Sequence, residues 1–481
     1  MRVSIKNLCL VPLLLAGLGV MPAGRVKAQT FTTLHHFSGY PGDGAHPQSG
    51  LVLAGGTVYG TAYTGGSLAS GTVFAVNTNG TGFTNLHNFA YSSDGASPYA
   101  GLILAGNTLY GTTYIGGSDG NGTIFAVNTN GTGFTNLHAF TGTVSGGANP
   151  YAGLILAGGT LYGTAGHAGS LDNGTVFAVN TNGTGFTSLH IFTGSNGANP
   201  NAGLILSGNT LYGTAANGGG SGNGMVFAIT TNGTGFTNLY NFTAVAGPDS
   251  TNRDGANPHA GLLLAGNTLY GTAYAGGSAG HGTVFAVNTD GTGFTNLHTF
   301  TAGAAIFTNA DDEIAYANSD GLNPNGGLIL AGNTLYGTAI GGGSAGEGTV
   351  FAIHTDGSGF TNLHSFLEES SGTNSDGTNP NAGLILAGNI LYGTANHGGG
   401  LGYGTVFALS LPVPPPIGIT TAGNQFILSW PTNAAGFALQ SITNLSAVNW
   451  SNVTSGITIV GTNYRFTNTI NGKASFFRLK Q

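Results

Sequence analysis

The stretch from Gly101 to Phe140, GLILAGNTLYGTTYIGGSDGNGTIFAVNTNGTGFTNLHAF, decides the fold. Two short apolar runs, GLILA and TLYGTT, are split by Gly106-Asn107, a two-residue hairpin signal. A Gly-rich loop leads to GTIFAVN, and Asn130-Gly131 turns that run into FTNLHAF. The stretch therefore reads as four short antiparallel strands. Its first run is almost continuously apolar, which predicts an inner strand covered on both sheet faces.

The phrase recurs seven times. Its opening glycines are Gly50, Gly101, Gly153, Gly203, Gly261, Gly327 and Gly383. The GTVF-like phrases open at Gly71, Gly122, Gly174, Gly224, Gly282, Gly348 and Gly404. Four-stranded units of about 40–50 residues are the signature of propeller blades. The closing phrase, FTxLHxF, is offset: its first copy (Phe31 to Phe37) precedes any complete unit, and the last unit lacks one. A strand from the N-terminus that completes the last blade reconciles the counts and removes the free edges of an open array. An open solenoid would carry distinct end caps, and a transmembrane barrel needs strands of about 9–11 residues. The expected fold is all-β: a seven-bladed β-propeller closed by an N-terminal strand, followed by a small β-sandwich.

Composition agrees with this reading. Of 481 residues 89 are Gly, a density costly in helices, while 27 Phe and 18 Tyr argue against disorder. One cysteine, Cys9, excludes a disulfide scaffold. Residues 1–28 read as a signal peptide, with Arg2 and Lys6 ahead of an apolar run from Leu8 to Val20. The propeller is expected over 29–410, a Pro-rich linker over 411–416 and the sandwich over 417–481, with Trp430 and Trp450 in its core. The mature protein is expected to be secreted or at the cell surface, with no membrane span after signal cleavage. All 16 acidic residues lie between Asp43 and Asp376, where Arg253 is the only basic residue. A body so poor in cations argues against nucleic acid and anionic lipid.

The phrase DGANP…GLILAGNTLYGTA…GG…GTVFAVNTNGTGFTNLHNF resembles the Gloeo/Verruco (GloVer) tandem-repeat family of secreted bacterial proteins, and the resemblance covers 31–410. It implies export and a propeller-type fold, and no catalytic residues. The tail phrases QFILSWP, GFALQSITNLS and ASFFRLKQ resemble small, loosely fibronectin-like sandwich domains of exported proteins.

Length variation falls on the Gly-rich and DGxxP loops, which gather on one face. The residue after the Pro of each DGxxP phrase reads Gln48, Tyr99, Tyr151, Asn201, His259, Asn325 and Asn381, changing where its neighbours hardly do. It precedes the innermost strand, so seven such side chains are expected to ring the channel mouth. Tyr, His and Asn offer flat faces and hydrogen-bonding groups suited to a glycan or a protein partner. The Asp of each DG pair reads first as a turn residue bonding the local backbone, and second as a ligand for a hard cation. The histidines of FTxLHxF sit on the outermost strand, too far apart to converge on one ion, and read as packing residues. No catalytic, metal or cofactor motif is present. The alternative to a non-enzymatic binding protein is a carbohydrate-active enzyme drawing a carboxylate pair from Asp311, Asp312 and Glu313 with Glu368 and Glu369. A third reading is a purely structural envelope component.

Overall fold

A computed structural model of the chain describes residues 3–4, 29–308, 314–412, 415–432, 437–443, 450–469 and 475–480. The chain divides into two compact units, Phe31–Leu409 and a second comprising Ser410 onward with the N-terminal residues. The signal peptide expected over 1–28 lies outside the described residues, apart from Val3 and Ser4.

Among the described residues the larger unit contains seven four-stranded antiparallel sheets and one two-stranded sheet, Ala304–Thr308 with Ile314–Ala317. In the second copy the strands are Ile103–Ala105, Thr108–Thr113, Thr123–Asn128 and Thr135–Ala139. Gly106 (φ +59°) makes the tight turn between the first two. A bulge between Asn136 and His138 bends the outermost strand.

The inner strand departs from the sequence reading. It spans three residues rather than five, and Ile103, Leu104 and Ala105 are only half-buried. One of its faces borders the central channel, where Leu51, Leu204, Leu262, Leu328 and Leu384 line a cavity of about 260 Å³. The strands covered on both faces are the second and third, such as Thr57–Ala62 and Thr72–Asn77. Leu102, ahead of the inner strand, packs with the Phe125 ring over Gly111, where a Cβ would come within 2.6 Å of that ring and 2.8 Å of Leu102. This contact explains why LYGT keeps its glycine.

Phe31–His36 pairs antiparallel with Thr405–Ser410, from Phe31↔Leu409 to His36↔Thr405. The two ends of the repeat array thus share one sheet with Ile390–Ala395 and Ile385–Ala387. Two further relationships run the whole way round. Each FTxLHxF ring residue stacks on the Phe opening the next copy, as His35 does on Phe83 at 3.6 Å and His87 on Phe134 at 3.6 Å. The seventh stack returns to the start, His364 on Phe31 at 4.0 Å. The opening glycines also abut in turn: a Cβ on Gly101 would lie 3.1 Å from Gly50 O, and one on Gly50 would lie 3.7 Å from Gly383 O. Between neighbouring sheets lie apolar clusters such as Val73, Phe89, Leu102, Leu109 and Phe125. Burying each such Phe contributes roughly 1.5–3 kcal/mol before entropy is counted.

Among its described residues the second unit holds two four-stranded sheets. One contains Gly418–Ala422, Gln425–Pro431, Asn463–Thr469 and Ile457–Val460. The other contains Phe476–Lys480, Ala438–Ile442 and Ser451–Asn452, with Val3–Ser4 at its edge. Phe426, Leu428, Trp430, Leu439, Phe466, Phe477 and Leu479 form its core. Trp450 is not among them; it is half-buried, and the Arg478 guanidinium lies 4.3 Å over its ring.

Candidate functional site

The loop entering each inner strand is set by the residue before Pro. In five copies that residue is Asn in the left-handed region, as at Asn149 (φ +55°). Its Nδ2 donates to the Tyr114 carbonyl across the blade boundary at 3.0 Å. Asn199, Asn257, Asn323 and Asn379 make the equivalent bond, and His46 Nδ1 lies 3.2 Å from Asn396 O in the same role. Asn tolerates this conformation better than other non-glycine residues because its side chain bonds locally.

These ties deliver the next-but-one residue to the channel mouth. Gln48, Tyr99, Tyr151, Asn201, His259, Asn325 and Asn381 all line one cavity of about 650 Å³. They also touch one another. Asn381 Nδ2 donates to the Tyr99 hydroxyl at 2.9 Å and to Gln48 Oε1 at 3.3 Å, and Asn325 donates to Asn381 Oδ1. Tyr99 and Tyr151 meet at 4.3 Å between ring centroids. The cup therefore has an aromatic side and an amide side.

A second variable position completes it, and the sequence reading missed it. The residue after each GTA or GTT is Tyr63, Tyr114, Gly166, Ala216, Tyr274, Ile340 or Asn396. Tyr274, Ile340 and Asn396 line the cavity. Tyr63 packs edge-on to Tyr99 at 5.8 Å, Tyr114 to Tyr151 at 4.7 Å and Tyr274 to His259 at 5.4 Å. The signal was the same variability beside a constant phrase that singled out the first position.

Among the described residues lining the cup there is no Asp, Glu, Lys or Arg. Burial lowers the pKa of His259 and raises that of Tyr99 and Tyr151, so all three are neutral at pH 7. The cup is an uncharged, hydrogen-bonding surface on an acidic molecule.

The DG aspartates make the expected bond to the backbone of their own loop, as Asp43 does in accepting from the Ser38 N–H at 2.7 Å, and each also holds a side chain of the outermost strand. Asp320 Oδ2 bonds His298 Nε2 at 3.0 Å and accepts from the Thr301 N–H at 3.0 Å, while the Thr301 hydroxyl donates to Oδ1 at 2.5 Å. Asp43, Asp94 and Asp376 hold His35, His87 and His364 in the same way. Asp254 holds the Tyr240 hydroxyl at 2.6 Å. Burial opposes ionisation of Asp320, yet the bonds from His298 and Thr301 prevail and its pKa is lowered. Each pair pins the outermost strand to its own inter-blade loop. Where Asn196 replaces Asp, its amide meets His190 Nε2 at 3.2 Å, and burial pushes that imidazole down to about 4. Where Gly146 replaces Asp, His138 Nε2 is buried with no hydrogen-bond partner among the described residues.

The described residues contain no group of three or more His, Cys, Asp or Glu arranged to hold a metal ion. Of the carboxylates weighed for catalysis, Asp311, Asp312 and Glu313 lie outside the described residues. Glu369 accepts from the Thr378 hydroxyl at 2.9 Å. Burial, with Glu369 and Glu368 nearby, pushes the Glu347 carboxyl up to about 7. Glu347 was not among the sequence candidates, because only folding carries its loop to theirs.

A sequence model described as the Gloeobacter/Verrucomicrobia repeat matches residues 19–205 and 166–311, more than half the chain. The chain belongs to this family. Beyond the Gloeobacter/Verrucomicrobia repeat, no curated protein matches the sequence. Among solved structures, the chain is similar to the GH74 enzyme of Niastella koreensis, with a TM-score of 0.47 and 14% identity over 92% of this chain and 73% of that one. It is also similar to an oligogalacturonate lyase solved in complex with manganese, with a TM-score of 0.46 and 12% identity over 82% of this chain and 99% of that one.

Proposed function

We propose that this Gloeobacter/Verrucomicrobia repeat protein is an exported, non-enzymatic binding protein whose ligand is a neutral glycan held in the channel-mouth cup. One observation carries the reading: the seven variable side chains that follow the DGxxP proline converge on one cavity, and no Asp, Glu, Lys or Arg is among its described lining residues. A neutral cup disfavours ionic ligands, for which a compensating charge is needed on burial. Tyrosine faces and amide donors and acceptors complement the two aspects of a sugar ring, its apolar C–H face and its hydroxyls. The cavity volume is also of the size that small-ligand sites use.

A glycan array probed with residues 29–481 tests this. Binding to neutral glycans that is lost in Tyr99→Ala plus Tyr151→Ala is the expected result. Binding that survives the double substitution removes the cup from the proposal, and selective capture of charged glycans or of a protein replaces it.

A second reading rests on Glu347. A carboxyl raised to about 7 beside other carboxylates is the arrangement a general acid needs. Hydrolysis of a glycan by the wild type and not by Glu347→Gln would favour it.

A further inference from the structure

A second groove adjoins the aromatic side of the cup. Tyr151 lines the cup, and two residues earlier Asn149 lines a separate groove of about 370 Å³. Tyr114 forms the shared partition, packed on Tyr151 at 4.7 Å and lining the groove. Tyr63, Tyr99, Tyr151 and Tyr114 thus form a continuous run of ring contacts leading outward.

The groove differs from the cup in chemistry. His167 Nδ1 lies 3.3 Å from Asp172 Oδ2, and the Ala168 N–H donates to Asp172 Oδ1 at 2.6 Å. The Asp172 side chain is 70% exposed, so its carboxylate presents further lone pairs to the groove. The loop that carries it departs from every other copy. Where the others have Gly-Gly at 65–66, 116–117, 218–219, 276–277, 342–343 and 398–399, this one has Ala168-Gly169. Ala168, Leu171 and Asp172 all adopt left-handed backbone (φ 60°, 62° and 61°), a conformation costing about 1 kcal/mol or more for residues with a Cβ. Leu171 is 84% exposed, and Val144, in the facing loop that supplies Gly142 to the groove, is 56% exposed. Strain is here spent on presenting a carboxylate, an imidazole and an apolar side chain beside the aromatic wall of the cup.

We infer that the groove beside Tyr114 is an extended subsite, so that the molecule takes the end of a linear neutral oligosaccharide in the cup and leads its next units past Tyr114 onto His167 and Asp172. This rests on the proposed glycan-binding role of the cup. The carboxylate accepts two sugar hydroxyls in this arrangement, His167 supplies a further polar contact, and the exposed aliphatic groups cover a ring face.

Calorimetry on residues 29–481 with gluco-, xylo- and manno-oligosaccharides of one to six units tests the inference. The expected result is affinity rising at least tenfold between one and four units and then levelling. In His167→Ala plus Asp172→Ala the ratio of tetrasaccharide to monosaccharide affinity falls toward one. These two side chains are exposed, so thermal melting should show the variant folded. Affinity that is flat with length, or a length gain untouched by the double substitution, overturns the subsite and leaves the cup in place. Absence of binding at every length overturns both.

Discussion

His364 stacks face to face on Phe31, ring centroids 4.0 Å apart and planes 14° from parallel, although the two lie 333 residues apart. The same contact joins His87 to Phe134 within the array. The first and last copies of FTxLHxF therefore meet as successive copies do.

Phe31→Ala should consequently cost about as much as Phe134→Ala, roughly 3 kcal/mol each. Urea unfolding of both variants measures it. A Phe31 substitution that is nearly silent, while Phe134→Ala is costly, would mean the ends do not hold together in solution.

Gly146 leaves His138 Nε2 without the carboxylate that other blades supply, and burial lowers that imidazole's pKa. Gly146→Asp should raise the His138 pKa and add about 1 kcal/mol of stability. A new Cβ would lie 2.0 Å from Thr141 Oγ1 and 2.6 Å from Thr143 Oγ1, so both hydroxyls must move, as they can at exposed side chains. Imidazole titration by NMR and a thermal melt give the two readouts.

Ser97 holds the left-handed conformation (φ +56°) that Asn holds in five other copies. Ser97→Asn should stabilise the protein by about 0.5–1 kcal/mol by relieving backbone strain and supplying the missing inter-blade bond. A drop in melting temperature would show that the buried site cannot accept the larger side chain.

Two groups set opposite pH responses. His190 titrates near 4 when folded and near 6.5 when unfolded, so the unfolded chain binds more protons between those values. Its contribution to stability is complete above about 6.5 and declines as pH falls toward 4; His190→Gln should flatten that decline. Glu347 titrates near 7 folded and 4.5 unfolded. Stability is therefore lost as pH rises from 4.5 to 7, and Glu347→Gln should gain most at and above pH 7. Denaturant midpoints across pH 4–8 separate the two.

The sequence by itself determined the repeat, its four short strands and the position facing the channel mouth. Strand period and turn residues are local properties, and seven copies average out their ambiguity. The residue after each DGxxP proline stood out because its neighbours scarcely change from copy to copy. Only the tertiary structure decided which side chains meet. The burial of the second and third strands rather than the first follows from the open channel, and the pairing of Asp320 with His298 follows from the loop folding back on its strand. Tyr114, Glu347 and the Asp172 groove gain their surroundings from adjacent blades, through distances that no spacing along the chain encodes.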